Sequence, residues 1–210
     1  MLVKQALEAG KISTGNTKMP GTTYAIDAFA CNVGSKLRNV KGSTCSGCYA
    51  IKLQKLRPSV DKGYKSNLEK FNTVQRQFWI DSMVFQIERY NTDGYHRWFD
   101  SGDLQSIDML RMIAEVCRKT PNVKHWLPTR EKGIVSEFMT FDQCPENLVI
   151  RVSAPMINGV PNKGFDNTST VHYKADHIGF ECKAYTRGNN CGDCRACWSK
   201  DVSNVSYKKH

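Results

Sequence analysis

The spacing of apolar and polar positions changes several times along the chain, and each change marks a predicted element. Thr22 to Phe29 (TTYAIDAF) is rich in β-branched and aromatic residues and follows the breaker pair Pro20 and Gly21, which predicts a strand. From Lys65 to Tyr90 the positions Leu68, Phe71, Val74, Phe78 and Phe85 recur at near-helical spacing, until Asn91 to Gly94 (NTDG) supplies turn chemistry. One long amphipathic helix is predicted there. Tyr95 to Phe99 (YHRWF) reads as a strand. Ser106 is placed to cap a helix whose apolar face, Ile107, Leu110, Ile113 and Cys117, stops at Thr120 and Pro121. Val123 to Leu127 (VKHWL) is a further strand, Glu131 to Thr140 a short helix, and Leu148 to Ser153 (LVIRVS) another strand, before Pro155, Gly159 and Pro161 break the pattern.

Strands alternating with helices of this length imply an α/β fold with parallel strands joined by right-handed crossovers, either an open parallel sheet or a partial, open parallel β/α barrel. In such folds functional groups gather where strands end. The predicted strand ends carry Asp100, Ser101, Gly102 and Asp103, then Thr129 and Arg130, then Ser153, so Asp103, Arg130 and Ser153 are the candidate catalytic residues. The ordinary alternative for Asp103 and Arg130 is a carboxylate at a helix N-terminus and a solvated arginine. No repeat or low-complexity segment divides the chain. Residues 1–160 read as an α/β core with an N-terminal cysteine loop, and 161–210 as a cysteine-rich metal-binding segment packed on that core in one unit.

The 40% apolar content of the 210 residues is enough for a real core. No run approaches the ~18 apolar residues of a bilayer span, and the start MLVKQALEAGK lacks the apolar stretch of a signal peptide, so a soluble, cytoplasmic protein with no membrane partner is expected. Lys and Arg outnumber Asp and Glu by 30 to 20, a formal +10. That excess suits a polyanion such as nucleic acid, but the charge is spread through stretches such as KSNLEK and SYKKH, and no aromatic RNA-binding signature accompanies it. Solubility is the simpler expectation.

Nine cysteines, an odd number in a chain expected to work in a reducing compartment, point to metal ligation rather than disulfides. In the tail, Cys191, Cys194 and Cys197 stand at two-residue intervals, with Cys182 upstream as a fourth thiolate. Three cysteines at that interval suit a [4Fe–4S] loop, with zinc as the alternative. Near the N-terminus, Cys31, Cys45 and Cys48 fall in a glycine-rich loop without apolar periodicity. Three thiolates on a cubane leave one iron open to substrate or cofactor; alternatively the two groups surround a single centre and the surplus cysteines pack in the core. Cys117 lies on an apolar helix face and reads as core, while Cys144 sits in a loop beside Pro145.

KISTGNTKMPG, CSGCYA, SGDL, PTR, RVSAP and CGDCRACW, spread over most of the chain, resemble a phage-encoded family called gene product eighty-eight-like, which implies a phage origin and a location in the infected host cell. The order of parts is also similar to the core of radical S-adenosylmethionine (SAM) enzymes, in which a strand leads into a three-cysteine loop, a helix follows, and the next strand ends in a Gly-rich acidic motif. That resemblance implies Cys31, Cys45 and Cys48 as cluster ligands, Ser101, Gly102 and Asp103 as the cofactor-binding acidic motif, and Arg151 with Ser153 facing the cofactor from the fourth strand. The tail cysteines then match an auxiliary cluster.

Three functions are expected from these features. In the first, an enzyme, an open iron binds SAM or a small-molecule substrate while Asp103 orients an amine and Arg130 or Arg151 binds a carboxylate. The second is a cluster-dependent hydrolase or esterase using Ser101, Ser153, His96 or His125, although no GxSxG elbow is present. The third is a non-catalytic iron–sulfur or zinc protein in which the metal stabilises the fold or an interface with a host protein or nucleic acid.

Overall fold

The computed structural model describes residues 1–15, 17–173 and 176–209. Seven strands pair side by side: β1 Thr22–Tyr24, β2 Tyr95–Trp98, β3 Lys124–Thr129, β4 Leu148–Ile157, β5 Thr168–His172, β6 Phe180–Cys182 and β7 Asn204–Lys208. Their order is β1-β2-β3-β4-β5-β7-β6, and every neighbouring pair is parallel. The sheet is therefore open, with β1 and β6 as its edges. The helices are α1 Val3–Ala6, α2 Asn32–Leu37, α3 Tyr49–Leu56, α4 Pro58–Thr73, α5 Arg76–Tyr90, α6 Ile107–Lys119 and α7 Lys132–Phe141. Among the described residues no helix is long and apolar enough to cross a membrane.

Several predicted elements change in extent. The first strand ends at Tyr24 rather than Phe29, because the Ile26 N–H leaves the ladder to bond the Ser101 carbonyl and the Asp27 carboxylate caps a short 3-10 turn, accepting from the Phe29 N–H at 3.0 Å. The single helix expected over Lys65–Tyr90 is two helices. Val74 and Gln75 are extended, and the break folds α4 back so that Phe71 meets Trp79 edge-on at 5.4 Å. The N-terminal cysteine loop contains α2. Past Pro161, where the apolar pattern fades, three more strands join the sheet. Hydroxyl and amide side chains dominate their buried positions: Thr168 donates to Asn204, Asn204 to Thr170, and Thr170 to Ser206, at 2.9, 3.0 and 3.1 Å.

Alternation along the strands sorts the sheet into two faces. Tyr24, Trp98, Leu127 and Ile150 point toward Trp79, Ile80 and Met83 of α5, Leu110 and Ile113 of α6 and Phe138 of α7, forming the main hydrophobic core. Tyr95, Arg97, Trp126 and Arg151 point the other way, and there the cysteine-rich tail takes the place of helices. Trp198 packs edge-on against Tyr95 at 5.4 Å and Trp126 at 5.2 Å, and its indole N–H donates to the His96 carbonyl at 2.9 Å. Because β5, β6 and β7 belong to the same sheet as β4, the predicted division at residue 160 falls between hydrogen-bonded neighbours.

Candidate metal centre

All nine cysteines are unbridged, and seven of them form two groups on the side of the sheet that carries the tail and the C-terminal strand ends. In the first group, Cys31 and Cys48 are the residues immediately preceding α2 and α3, and the Cys48 N–H donates to the Cys45 carbonyl at 3.2 Å. Gly34 makes their convergence feasible. A Cβ on it would stand 2.9 Å from the Cys31 Cβ, 3.6 Å from the Cys31 sulfur and 3.8 Å from the Cys45 sulfur, so both sulfurs border one spot that glycine leaves open. The loop is clamped to the ends of β3 and β4: the Thr44 N–H donates to the Pro155 carbonyl at 2.9 Å, the Arg130 Nε to the Thr44 hydroxyl at 3.0 Å, and the Val33 N–H to the Glu131 carboxylate at 2.8 Å. Burial pushes the Cys31 thiol up to about 12, with Asp103 and the thiols of Cys48 and Cys45 adding to the effect and Arg130 opposing it. The Cys45 thiol is raised by burial and lowered most by Arg130.

The second group begins at Cys182, the last residue of β6. Cys191 is tied to the N-terminal segment by its N–H to the Lys18 carbonyl at 2.7 Å, and Cys194 turns back on it through an N–H to the Cys191 carbonyl at 3.1 Å. Cys197 lies deepest, with its sulfur 3.2 Å from the Tyr207 hydroxyl. Burial pushes the Cys197 thiol up to about 12, against the pull of that hydroxyl and of Arg151 and Arg97. Cys191 is raised by burial and then by Cys182 and Cys194, while Arg195 and Arg97 lower it. Four thiols thus share one electrostatic neighbourhood with three guanidiniums, and none of Arg97, Arg151 and Arg195 forms an ion pair with a carboxylate among the described residues. Arg97 lies 4.6 Å over the Trp126 ring with a buried, unpartnered Nε. Besides the thiols, the acidic groups within electrostatic reach are Asp100 and Tyr49 near Arg97 and Tyr207 near both Arg97 and Arg151.

Among the described residues no three His, Cys, Asp or Glu side chains converge closely enough to hold a single metal ion. A tetrahedral zinc at a Zn–S distance of about 2.3 Å needs sulfurs about 3.8 Å apart, whereas a four-iron cubane spreads its thiolates wider because each binds a different iron.

The other predicted site residues divide. Arg130 lies beside the first thiol group. Asp103 is buried beside it but largely satisfied, accepting from the Thr129 hydroxyl at 2.6 Å, the Arg130 N–H at 2.9 Å and the Leu104 N–H at 2.8 Å, so it ties β2 to β3. The carboxylate with a buried, unpartnered oxygen is instead Asp100, three residues earlier, whose other oxygen accepts from Thr23 at 3.2 Å. Gly102, at φ +84°, lets the chain pass Ile26, whose side chain a Cβ would meet at 2.3 Å. Ser101 is buried against Gln54, and Ser153 shares a 2.9 Å bond with Ser169.

Arg151 does not open onto the crevice. All five of its N–H donors are used, by the carbonyls of Cys197, Thr168, Val202, Ala196 and Ser199 at 2.7–3.3 Å, which makes it the anchor of the tail rather than a ligand for a cofactor carboxylate. His96 and His125 are sealed in the helix-covered core, bonded to Thr22 and Thr120 at 2.7 and 2.8 Å and far from use as bases for Ser153. Cys117 is core, as predicted, and Cys144 is part-buried at its edge. The reading from sequence missed Arg97 and Tyr207 and preferred Asp103 to Asp100 at the same strand end; an arginine inside YHRW was the available signal for the first.

No curated protein and no solved structure matches the chain. The family model described as Gene product 88 matches residues 2–200, nearly the whole length. The chain therefore belongs to the phage Gene product 88 family that its motifs resemble.

Proposed function

We propose that the protein is an iron–sulfur protein holding two [4Fe–4S] clusters, one closed by Cys182, Cys191, Cys194 and Cys197 and one held by Cys31, Cys45 and Cys48 with an iron open to a small molecule. The observation that carries this reading is the set of guanidiniums, Arg97, Arg151 and Arg195, none of them in an ion pair among the described residues, around four half-buried thiols. Neutral thiols give those cations no counter-charge, whereas four thiolates on a cluster do. When bound, the clusters supply one-electron transfer and, at the open iron, a Lewis-acidic site.

The chain's own residues set the conditions around those centres. Tyr207 donates toward the Cys197 sulfur, and Arg130 balances negative charge at the first group. Arg97 lies within electrostatic reach of Cys191 and Cys197 on one side and of Tyr49 and Asp100, beside the first group, on the other. A strand leading to a cysteine loop, a helix after Cys48 and further parallel strands support a radical-SAM-like arrangement. The residues left for a SAM amine and carboxylate are Asp100 and Arg130, since Asp103 and Arg151 are engaged. The hydrolytic alternative loses its histidines, since His96 and His125 are sealed in the core. The non-catalytic alternative shares the tail site and differs at Cys31, Cys45 and Cys48.

Anaerobic reconstitution of Cys45→Ser and Cys191→Ser tests the proposal. Each variant should keep about half of the cluster absorbance, and added SAM should perturb the electron paramagnetic signal of Cys191→Ser but not of Cys45→Ser. Equal and complete loss in both variants would mean one shared centre, and no effect of SAM on either would remove the SAM reading.

A further inference from the structure

The positive charge that looks dispersed along the sequence is concentrated in the fold. Residues 32–70 carry nine Lys and Arg against two Asp and Glu, while the rest of the chain carries 21 against 18. This stretch is α2, the cysteine loop, α3 and most of α4, and it surrounds the first thiol group. Lys41, Lys52, Lys55, Arg57 and Lys62 are exposed, and none forms an ion pair among the described residues. Fold stability does not call for such a surface, since packed like charges repel.

Two aromatic rings flank the same thiol group in sequence. Phe29, two residues before Cys31, is 38% exposed, with the Arg38 guanidinium 5.6 Å from its ring centre. Tyr49, directly after Cys48, is 61% exposed, and its hydroxyl donates to the Asp100 carbonyl, which fixes the ring in place. Exposed rings beside an unpaired cationic track are what a single-stranded nucleic acid uses: lysines and arginines follow the phosphates, and the rings stack bases of any sequence. A membrane surface is the competing occupant, since α3 also exposes Leu53 and Leu56, and the vesicle arm of the test below separates the two.

We infer that the α3–α4 arm and the neighbouring cysteine loop bind single-stranded nucleic acid, with bases stacked on Phe29 and Tyr49 beside the Cys31/Cys45/Cys48 group. This inference does not depend on which metal the thiols hold. Fluorescence anisotropy of the full chain with a labelled oligothymidylate of about 20 nucleotides tests it, a length above the ~4–16 nucleotides of compact single-strand sites. Affinity should fall with salt at a log–log slope of about −3, as roughly four phosphate contacts at about −0.7 each require. The triple reversal Lys52→Glu, Lys55→Glu and Lys62→Glu should cut affinity more than tenfold and flatten the slope by about two. Tyr49→Ala should weaken binding roughly 5- to 100-fold without changing the slope, and Tyr49→Phe, which keeps the ring, should bind as the parent does. Lys208→Glu, outside the arm, serves as the control for net charge. The inference is overturned by no binding at about 50 mM salt, by equal affinity for a duplex of the same length, by anionic vesicles binding where the oligonucleotide does not, or by the control costing as much per charge as the arm reversal.

Discussion

The hydroxyl of Tyr207, on β7, lies 3.2 Å from the sulfur of Cys197, in the tail loop that crosses the sheet above it. A donor aimed at a cluster thiolate stabilises the more negative, reduced state. Tyr207→Phe should therefore lower the midpoint potential of the tail cluster while leaving the iron content of the chain unchanged. A redox titration followed by electron paramagnetic resonance measures it; an unchanged potential would place Cys197 outside the ligand set.

Arg151 makes a second, structural prediction. Its guanidinium joins β4 to five carbonyls, four of them in the tail and its approach to β7. Arg151→Met leaves those buried acceptors without donors and should cost about 4 kcal/mol or more. The tail centre should be lost with it, whereas Arg130→Met, beside the other group, should leave the tail centre in place. Urea unfolding and iron content of the two variants distinguish the cases.

Gly34→Ala leaves every thiol in the chain yet brings a methyl group to 2.9 Å from the Cys31 Cβ. It should displace Cys31 from Cys45 and abolish binding at the first group, with the tail group unaffected. Metal analysis of this variant, reconstituted beside the parent, should show about half the parent's iron.

Two buried imidazoles make acid stability measurable. Burial lowers His125 from 6.5 to about 3, and burial together with His125 lowers His96 well below 6.5. Both fold as the neutral form, so in this window the unfolded chain binds more protons. Their contribution is present in full above about 6.5 and is lost as pH falls toward the folded values, at up to about 1.4 kcal/mol per pH unit each. The buried carboxyls Asp100 and Asp103, raised by burial, act in the opposite sense at the lower end of that window. The clean comparison is therefore between the parent and His125→Gln. The variant should show a shallower loss of stability between pH 6.5 and 4, followed by urea midpoints at each pH.

Much of this fold was legible in the pattern of apolar runs, and the exceptions have physical causes. The strands from β1 to β4 and the helices α5, α6 and α7 show because their buried positions are hydrocarbon, whereas α2 and α3 sit in and beside a cysteine loop with no apolar period. β5 and β7 do not, because Thr168, Thr170, Asn204 and Ser206 satisfy one another inside the sheet and leave no apolar alternation to read. The break between α4 and α5 is invisible because Phe71, Val74 and Phe78 keep a helical interval through an extended pair. At the site, cysteine spacing located both thiol groups. It could not tell Asp100 from Asp103, which differ in whether neighbouring N–H and hydroxyl groups have consumed the carboxylate. Nor could it show that Arg151 faces the tail, a consequence of which strand face the tail covers.

The central claim is that two thiol groups hold two polynuclear clusters. The most direct measurement is the iron, acid-labile sulfide and zinc content of the anaerobically purified chain. The account predicts about eight irons and eight sulfides per chain with little zinc, since each cubane contributes four of each. One zinc per chain with no sulfide would contradict it.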